Sequence, residues 1–317
     1  MQTVLTAEKR ACISDLLEAG ATFLEAHQIE AARLEAEHLL AARLNGNRLK
    51  LFLHAEHVVS ETCRNGFLED LARRAAHEPL QYIIGEVEFY GLPFCVSKGV
   101  FIPRPETELI VEEAQKLSTH PAKILDLCTG SGALAVALAV SFKDSAVTAT
   151  ELSKNALKIA QQNAEKNHCL SQITFLQGDL LDPLKKKGLD ASGFDLIVSN
   201  PPYISEADRD TLPPEVRDYE PALALFAEDE GRAFYRRILF EAPDFLNDDG
   251  VILLELGHKQ SQWLRHFIKN EINPSDKKVH LSFITDWAGI ERIARIVFES
   301  GSLKNTSKST AKEAVYG

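Results

Sequence analysis

The sequence predicts an α/β protein in which a small all-helical domain and a β-hairpin precede an open, doubly wound, mostly parallel sheet. Residues 1–80 show helical periodicity throughout, whereas strands and helices alternate from residue 122 onwards. A chain of 317 residues is also too long for one typical domain. We therefore expect two domains, with the ligand site at the carboxyl ends of the strands.

The first 80 residues are predicted to form a helical bundle. Thr6 is expected to cap a helix that runs to about Glu18 and ends before Gly20. Apolar residues at helical spacing mark a second helix, which Asn45-Gly46 ends. Ser60 is expected to cap a third. The apolar face of this third helix comprises Phe67, Leu68, Leu71 and Ala75.

Residues 81–108 change in character. The run Phe89-Tyr90-Gly91-Leu92-Pro93-Phe94 predicts a β-hairpin, which would join the two domains and act as a hinge near 86–100. Pro103 and Pro105 should hold the chain extended around Arg104. Thr107 is then expected to cap the next helix.

The second domain is predicted from the alternation of apolar strands with helices. The helices are expected at about 133–140, 155–167 and 234–245. The residues from 301 to 317 are rich in Ser, Thr and Lys, which predicts a disordered tail. The predicted strands are 123–127, 147–150, 173–176, 194–199, 251–255, 280–285 and 293–298.

The net charge, the cysteine spacing and the lengths of the apolar runs argue against several classes of protein. A net charge of −11 argues against tight sequence-independent binding of DNA or RNA, which requires a basic surface. The five cysteines are scattered and form no C-x-x-C pair, so neither a disulfide framework nor a zinc site is indicated. No apolar run reaches the length of a membrane span, and no signal peptide is evident. We therefore expect a cytoplasmic protein that does not bind membranes.

Asn200-Pro201-Pro202-Tyr203 is the most informative motif. It follows a predicted strand, and two prolines cannot continue a central strand, so the motif lies just past the strand's carboxyl end. An amide or exocyclic amine is a poor nucleophile, because its lone pair is delocalised. The Asn200 side-chain carbonyl and the Pro201 backbone carbonyl could accept its two N–H groups, while the Tyr203 ring stacks on the planar target. A plain Asn-Pro turn is the alternative.

The glycine-rich turn indicates which nucleotide binds. It reads Asp126-x-Cys128-x-Gly130-x-Gly132, which is neither a dinucleotide fingerprint nor a P-loop. Such a turn suits a nucleoside without phosphates. Glu151, at the end of the second strand, could accept both ribose hydroxyls. Asp179, after the third strand, could reach an adenine amino group, so a sulfonium nucleoside fits this set well.

These motifs together resemble S-adenosylmethionine-dependent amino methyltransferases. Three further runs are similar to the bacterial peptide chain release factor glutamine N5-methyltransferases, and the likeness covers about residues 10–300. Cys128 departs from the glycine common in that family, and it should fit if its φ is negative. Leu180 stands where some members have an aromatic residue. The three runs are Glu78-Pro-Leu-Gln-Tyr-Ile-Ile-Gly85, Glu88-Phe-Tyr-Gly-Leu92 and Phe101-Ile-Pro-Arg-Pro-Glu-Thr-Glu108.

The resemblance implies a Rossmann-like class I methyltransferase fold, with a seven-stranded, mostly parallel sheet that has a terminal antiparallel strand. It also implies a complete set of site residues. The activity would be methyl transfer from S-adenosylmethionine to the glutamine of the Gly-Gly-Gln motif of release factors. The implied domains are a helical substrate-docking domain (1–85), a hairpin linker (86–100), the methyltransferase domain (101–300) and the tail (301–317). The implied catalytic residues are Asn200, Pro201, Pro202 and Tyr203. The implied cofactor-binding residues are Phe101, Arg104, Asp126, Cys128, Thr129, Gly130, Ser131, Gly132, Glu151, Leu152, Asp179, Leu180 and Asn200.

Three alternatives stay open on the sequence. The same tetrapeptide could hold the exocyclic amine of a DNA or RNA adenine, although that would require base flipping and a basic surface. A second alternative is a non-catalytic scaffold that binds S-adenosylmethionine. Arg104 could close over the cofactor together with Phe101, or it could pair with Glu106 or Glu108 instead.

Overall fold

The computed structural model describes residues 11–186, 193–272 and 279–298. The predicted cap Thr6 and the predicted tail 301–317 lie outside these residues. The chain divides into two compact units. The first extends to Glu86 and also includes Leu212–Tyr219, and the second comprises the rest of the chain from Val87 onwards. The sequence placed residues 212–219 in the methyltransferase domain, so their membership of the helical unit is a correction.

The first unit is helical, as predicted. Ser60 caps the fourth of its consecutive helices, because its Oγ accepts a hydrogen bond from the Cys63 backbone N–H at 3.3 Å. The second helix ends at Arg43, just before Asn45-Gly46, as expected. Phe67 and Leu71 are fully buried on the predicted apolar face. The consecutive helices are Ile13–Ala26, Ala32–Arg43, Arg48–Leu53, Glu61–Ala75 and Leu80–Ile84.

The prediction that the first helix ends before Gly20 is wrong. This helix runs through Gly20 to Ala26, and Gly20 is buried within it. A Cβ at Gly20 would lie 2.9 Å from Cζ of Phe67 and 3.4 Å from Cβ of Ala36. The missing side chain therefore allows close helix packing, and this glycine does not mark a helix end.

The later segment of the first unit is held by polar contacts. The helix Pro214–Tyr219 lies within it. Arg74 is buried, and its Nη2 donates a hydrogen bond to Glu215 Oε2 at 2.6 Å. The Tyr219 hydroxyl donates to the Ala76 carbonyl at 2.6 Å. These contacts join residues more than 140 positions apart, and no local pattern predicts them.

The predicted hairpin is confirmed. Strands β1 (Glu86–Phe89) and β2 (Leu92–Cys95) pair, and Tyr90 and Gly91 form the turn between them. Both turn residues have positive φ angles, 52° and 70°, which match the right-handed twist of a two-residue hairpin. Arg104 is extended as predicted, and a short 3₁₀ turn, Pro105–Thr107, leads into the helix Glu108–Gln115.

The second unit contains a seven-stranded sheet of order β5-β4-β3-β6-β7-β9-β8. Strands β3 to β7 are parallel, and β9 is antiparallel to both β7 and β8. The mostly parallel sheet with an antiparallel last strand is confirmed. The strands are β3 Lys123–Leu127, β4 Ala146–Glu151, β5 Ile173–Gln177, β6 Phe194–Ser199, β7 Leu246–Glu255, β8 Val279–Thr285 and β9 Glu291–Phe298. The longer helices between them are Ala133–Ser141, Lys154–Lys166, Ala233–Glu241 and Gln260–Phe267.

Side chains of the central strands alternate between two cores. Ile124 belongs to the core on one face of the sheet, whereas Leu125 and Leu127 belong to the core on the other. All three are fully buried, so both faces are covered. The strand order reverses at β3, which pairs with β4 on one side and β6 on the other. A crevice is therefore expected at the carboxyl end of β3.

Candidate active site

A cavity lies at this point, where β3, β4, β5 and β6 end. It brings together most of the residues that the sequence assigned to the site. Arg104, Gly132 and Pro201 are not in its wall. The assigned residues that line it are Phe101, Asp126, Cys128, Thr129, Gly130, Ser131, Glu151, Leu152, Asp179, Leu180, Asn200, Pro202 and Tyr203.

The turn after β3 depends on its glycines. Gly130 and Gly132 have φ angles of +58° and +82°, a region that favours glycine. A Cβ at Gly132 would lie 3.0 Å from Cβ of Ala160, so the turn packs closely on the helix Lys154–Lys166. Gly132 precedes the first residue of the helix Ala133–Ser141. It shapes the turn from behind, while Gly130 faces the cavity.

Cys128 adopts a backbone conformation that we did not expect. Its φ is +60°, whereas the sequence interpretation required a negative value. A side chain in this left-handed region costs about 1–2 kcal/mol, because Cβ approaches the following carbonyl. The thiol points into buried surroundings, and burial raises its pKa well above the ordinary range. It is therefore a neutral thiol in the cavity wall.

Asp126 is fully buried at the end of β3. Its Oδ2 accepts hydrogen bonds from the Thr129 hydroxyl at 2.5 Å and the Ala135 N–H at 3.1 Å. Its Oδ1 has no partner among the described residues. Burial raises the pKa of this carboxyl to about 7. A buried acceptor without a donor, at the wall of a cavity, is a position that a ligand N–H or cation can satisfy.

Glu151 is held in place by backbone groups. Its Oε2 accepts from the Gly130 N–H at 2.9 Å, and its Oε1 accepts from the Ser153 N–H at 2.8 Å. Burial raises the pKa of Glu151, and the backbone hydrogen bonds oppose that shift. Each carboxylate oxygen has a second lone pair, so both can still accept from a ligand hydroxyl. This side chain also links the end of β4 to the glycine-rich turn.

Asp179 and Leu180 follow β5. Asp179 Oδ2 accepts a hydrogen bond from Arg237 Nη1 at 2.8 Å, and the two side chains form an ion pair. Leu180 is buried and has a φ of +43°. The wall therefore presents an apolar side chain beside a carboxylate, an arrangement that suits the flat, polar-edged ring of adenine.

Arg104 forms an ion pair that the sequence did not predict. Its guanidinium donates to Glu220, a buried carboxylate, and to the Ile102 carbonyl at 3.0 Å. It also lies over the Phe101 ring, 4.8 Å from the ring centroid. The alternative pairing with Glu106 or Glu108, which the sequence left open, is therefore wrong. Glu220 additionally accepts from the Ile102 N–H at 3.2 Å, so it anchors the extended segment that carries Phe101.

The motif Asn200–Tyr203 is fixed by side-chain contacts. Asn200 Nδ2 donates to Thr107 Oγ1 at 3.1 Å. The Tyr203 hydroxyl donates to Glu255 Oε1 at 3.3 Å, and the Tyr203 carbonyl accepts from Gln260 Nε2 at 3.0 Å. Burial raises the pKa of Tyr203 far above its ordinary value, so the phenol is neutral. Within the described chain, no hydrogen bond reaches Asn200 Oδ1 or the Pro201 carbonyl.

The prediction that Thr107 caps the following helix is wrong. Thr107 has helical backbone angles and makes no capping hydrogen bond. Its hydroxyl instead donates to Glu255 Oε2 at 2.5 Å. Both residues are buried, and burial raises the pKa of Glu255 to about 7. A hydrogen bond to a carboxylate is stronger than one between neutral groups, and the Thr107 oxygen already accepts from Asn200 Nδ2, which explains why the hydroxyl turns inwards.

Sequence reasoning missed part of the cavity wall. The segment Pro221–Leu225 comes later in the sequence than the Asn200 motif, and its residues match no recognisable sequence motif. The Ile204 N–H donates to the Leu225 carbonyl at 2.9 Å, so the segment lies beside the end of the motif in the folded protein. Such long-range pairing has no local sequence signal. The missed lining residues include Gly99, Pro103, Thr107, Thr150, Ser153, Gly178, Ile204, Pro221, Leu223, Ala224, Leu225 and Phe234.

Comparison with known proteins shows which family this chain resembles. Residues 15–85 match the family model described as the PrmC N-terminal domain, and residues 92–212 match the methyltransferase small domain. A release factor glutamine methyltransferase of Geobacter sulfurreducens is 43% identical over 240 residues, which are 76% of this chain and 82% of that protein. The Rhodopirellula baltica protein of the same name is 39% identical over 88% of this chain and 93% of its own length.

A solved structure supports the fold independently. The catalytic domain of hMettl16, in complex with the MAT2A 3'UTR hairpin 6, has a TM-score of 0.52. The match covers 77% of this chain and 84% of that one at 17% sequence identity, so it speaks for the fold alone.

The sheet order and the site at its switch point define a class I methyltransferase, and S-adenosylmethionine is its methyl donor. The chain belongs to the release factor glutamine methyltransferase family. No helix of the described residues is long and apolar enough to cross a membrane.

Proposed function

We propose that this protein transfers a methyl group from S-adenosylmethionine to the side-chain amide nitrogen of the glutamine in the Gly-Gly-Gln motif of peptide chain release factors. The observation that carries the proposal is a pair of acceptors to which no described residue donates, in a chain of this family. They are Oδ1 of Asn200, a residue that lines the cavity, and the carbonyl of the next residue, Pro201. A primary amide has two N–H donors, and these two acceptors match them.

The motif would prepare the amide for reaction. When both N–H groups are held by Asn200 and Pro201, the nitrogen lone pair can turn out of conjugation and towards the cofactor. The Tyr203 ring, fixed through Glu255 and Gln260, would stack on the planar amide while Pro202 narrows the cavity. Positioning of this kind supplies much of the rate gain in a bimolecular transfer. The methylated amide nitrogen then loses a proton to water, so no strong base is required.

The cofactor residues fit S-adenosylmethionine, which supplies an electrophilic methyl group when bound. Asp126 Oδ1 is a buried acceptor for the cationic methionine part, and Glu151 can accept from the ribose hydroxyls. Asp179 and Leu180 would hold the adenine. The turn Cys128–Gly132, with Thr129 and Ser131, and Leu152 would complete the wall. Phe101 would close over the cofactor, with Arg104 supporting it through Glu220.

We further propose that the helical unit is a substrate-docking domain for the body of the release factor and that the protein acts in the cytoplasm. We also propose that it does not recognise nucleic acid directly. The family-model match over residues 15–85 and the exposed apolar residues at 49–58 support docking. The net charge of −11 disfavours DNA or RNA as a target.

Tritiated S-adenosylmethionine, offered with purified release factor, DNA or ribosomal RNA, tests the proposal. We expect label on release factor alone, and label on an adenine base would replace the proposal with adenine methylation. Asn200→Ala should lower kcat by about 10²–10³-fold, because it removes one preorganised contact to the reacting group. Its affinity for S-adenosylhomocysteine should be largely retained, because the other implied cofactor-binding residues stay in place. Near-normal turnover of this variant would remove Asn200 from the mechanism.

A further inference from the structure

An ordered chain of hydrogen bonds leads from Asn200 into the core of the second unit. Asn200 Nδ2 donates to Thr107 Oγ1 at 3.1 Å, and the Thr107 hydroxyl donates to Glu255 Oε2 at 2.5 Å. Thr107 is only 4% exposed and Glu255 only 2%. Bulk water therefore cannot replace either partner, and the directions of these hydrogen bonds are set by the three side chains themselves.

We propose that Thr107 and Glu255 are positioning residues, which hold the Asn200 carboxamide with its Oδ1 towards the substrate amide. This inference rests on the proposed function, since an acceptor is needed only where the target donates N–H groups. The Thr107 hydroxyl has a single hydrogen. Because that hydrogen is given to Glu255, the Thr107 oxygen can only accept from Asn200. The amide nitrogen must then face Thr107, and Oδ1 faces the other way.

The donor and acceptor roles along this series of hydrogen bonds depend on the ionisation of Glu255. An ionised carboxylate only accepts, and it receives both the Thr107 and the Tyr203 hydroxyls. A proton on Oε2 would be donated to Thr107 Oγ1, whose own hydrogen would then turn towards Asn200. Asn200 would accept that hydrogen through Oδ1, so its amide would flip. The flipped Asn200 side chain then presents its own N–H groups to the N–H groups of the target amide. The target amide thereby loses Asn200 Oδ1 as an acceptor.

Several groups face the Glu255 carboxyl. Together they raise its pKa to about 7. Burial is the largest cause, the hydrogen bonds from Thr107 and Tyr203 oppose it, the charge of Glu106 adds to it, and the charge of Arg292 also opposes it. The Tyr235 hydroxyl donates to the Glu255 backbone carbonyl at 3.0 Å and stays neutral. Protonation therefore becomes significant as the pH falls through about 7. We expect kcat to fall in the same range at saturating S-adenosylmethionine.

Substitutions of Thr107 test the geometry. Thr107→Val removes the hydroxyl but keeps the shape, and it should lower kcat by about tenfold to a hundredfold, somewhat less than the loss of a direct contact. The KM for release factor and the affinity for S-adenosylhomocysteine should change by less than about twofold, because Thr107 acts through Asn200. Thr107→Ser should restore most of the rate. Ser145→Ala, which removes a buried hydroxyl bonded to the Pro121 carbonyl, is the matched control and should keep full activity. Wild-type kcat in Thr107→Val, or an equally slow Thr107→Ser, overturns the proposal.

Glu255→Gln tests the ionisation, and a spectroscopic measurement makes the result independent of turnover. This variant should be slow, and its kcat should no longer fall as the pH falls through about 7.

In protein with ¹⁵N-labelled asparagine, the Asn200 side-chain N–H signals, assigned by their absence in Asn200→Ala, should titrate with a midpoint near 7. The titration should vanish in Thr107→Val and Glu255→Gln. Signals that do not titrate in the wild type refute the positioning role even if release factor is methylated. A titration without methylation of release factor refutes the proposed function instead.

Discussion

At the scale of single residues, we predict that Asp126 makes cofactor binding depend on pH. Its pKa is raised to about 7 by burial, so below that value the folded protein holds it protonated. A cation beside Oδ1 favours the ionised form, hence binding should release a proton when the pH is below about 7. We expect the affinity for S-adenosylhomocysteine, which carries the same ammonium group, to rise as the pH rises through about 7.

Calorimetric titration at several pH values checks this expectation. If only the ionised form binds well, the affinity should fall by about tenfold for each pH unit below the pKa. Buffers of different ionisation enthalpy should reveal the released proton. Asp126→Asn should bind weakly at all pH values and release no proton. Asp144→Asn, at an exposed aspartate, serves as the control and should behave like the wild type. An Asp126→Asn variant that keeps the pH dependence would show that another group titrates.

Individual residues also show which features of the candidate site can be predicted from the sequence. The ends of β3, β4, β5 and β6 were placed correctly, because apolar strands and the residues that follow them are local patterns. The conformation of Cys128 was not predicted, since a φ of +60° is uncommon for a residue other than glycine and has no local sequence pattern. The direction of the Thr107 hydroxyl was missed as well. It depends on Glu255, which lies 148 positions away in the chain.

At the scale of elements, Gly20 shows packing overruling helix propensity. Alanine would favour this helix by about 1 kcal/mol. The added Cβ would however lie 2.9 Å from the ring of Phe67, which is fully buried, so the ring can shift only by disturbing the core around it. Overpacking of a core costs about 1–3 kcal/mol, so Gly20→Ala should lower the free energy of unfolding by about 1 kcal/mol.

Urea unfolding of the full-length protein, followed by circular dichroism, measures this effect. Gly46→Ala is the matched control in the same unit. Its nearest neighbour would be the flexible Lys50 side chain at 3.4 Å, so its stability should change by no more than about 0.5 kcal/mol. A Gly20→Ala protein more stable than the wild type would mean that the helices can separate at little cost. In that case Gly20 would be a residue of no structural consequence.

The elements themselves were predicted more reliably than their ends. The strands of the sheet have strong apolar patterns, and most were found to within two residues at either end. The exception is β7, which begins at Leu246, whereas the prediction began it at Val251. The short helix Arg48–Leu53 was missed, because six residues give too little periodicity. The helix Gln260–Phe267 was passed over as well, although its apolar residues have helical spacing. Strength of pattern, together with length, decides which elements a sequence reveals.

At the scale of the whole molecule, Leu212–Tyr219 changes how the docking role of the helical unit can be tested. Removing the residues before Gln81 would take away Arg74, the buried partner of Glu215, and Ala76, the acceptor for Tyr219. The remaining segment lies in the chain between the Asn200 motif and Glu220, separated from the motif by residues 204–211. Loss of activity in such a truncated protein would therefore not identify a docking surface. Substitutions on the surface of the intact unit are the better experiment.

The exposed apolar residues of the helical unit provide those substitutions. Leu49, Phe52, Leu53 and Val58 are between 52% and 69% exposed. Apolar side chains of this size lose contact with water when a partner covers them, which is worth about 1.5–3 kcal/mol for a fully buried one. If the body of the release factor covers this segment, Phe52→Ser combined with Leu53→Ser should lower kcat/KM for intact release factor by at least about tenfold.

Three measurements separate docking from catalysis. The double variant should methylate a short Gly-Gly-Gln peptide at the wild-type rate and bind S-adenosylhomocysteine normally, because its cavity is unaltered. Its melting temperature should be nearly unchanged, since exposed side chains contribute little to stability. Leu170→Ser, at an exposed leucine of the second unit, is the control and should methylate intact release factor normally. If the double variant also keeps the wild-type kcat/KM for intact release factor, the segment 49–58 does not dock the substrate, because apolar contacts of this size cannot be removed from an interface without a measurable loss of affinity.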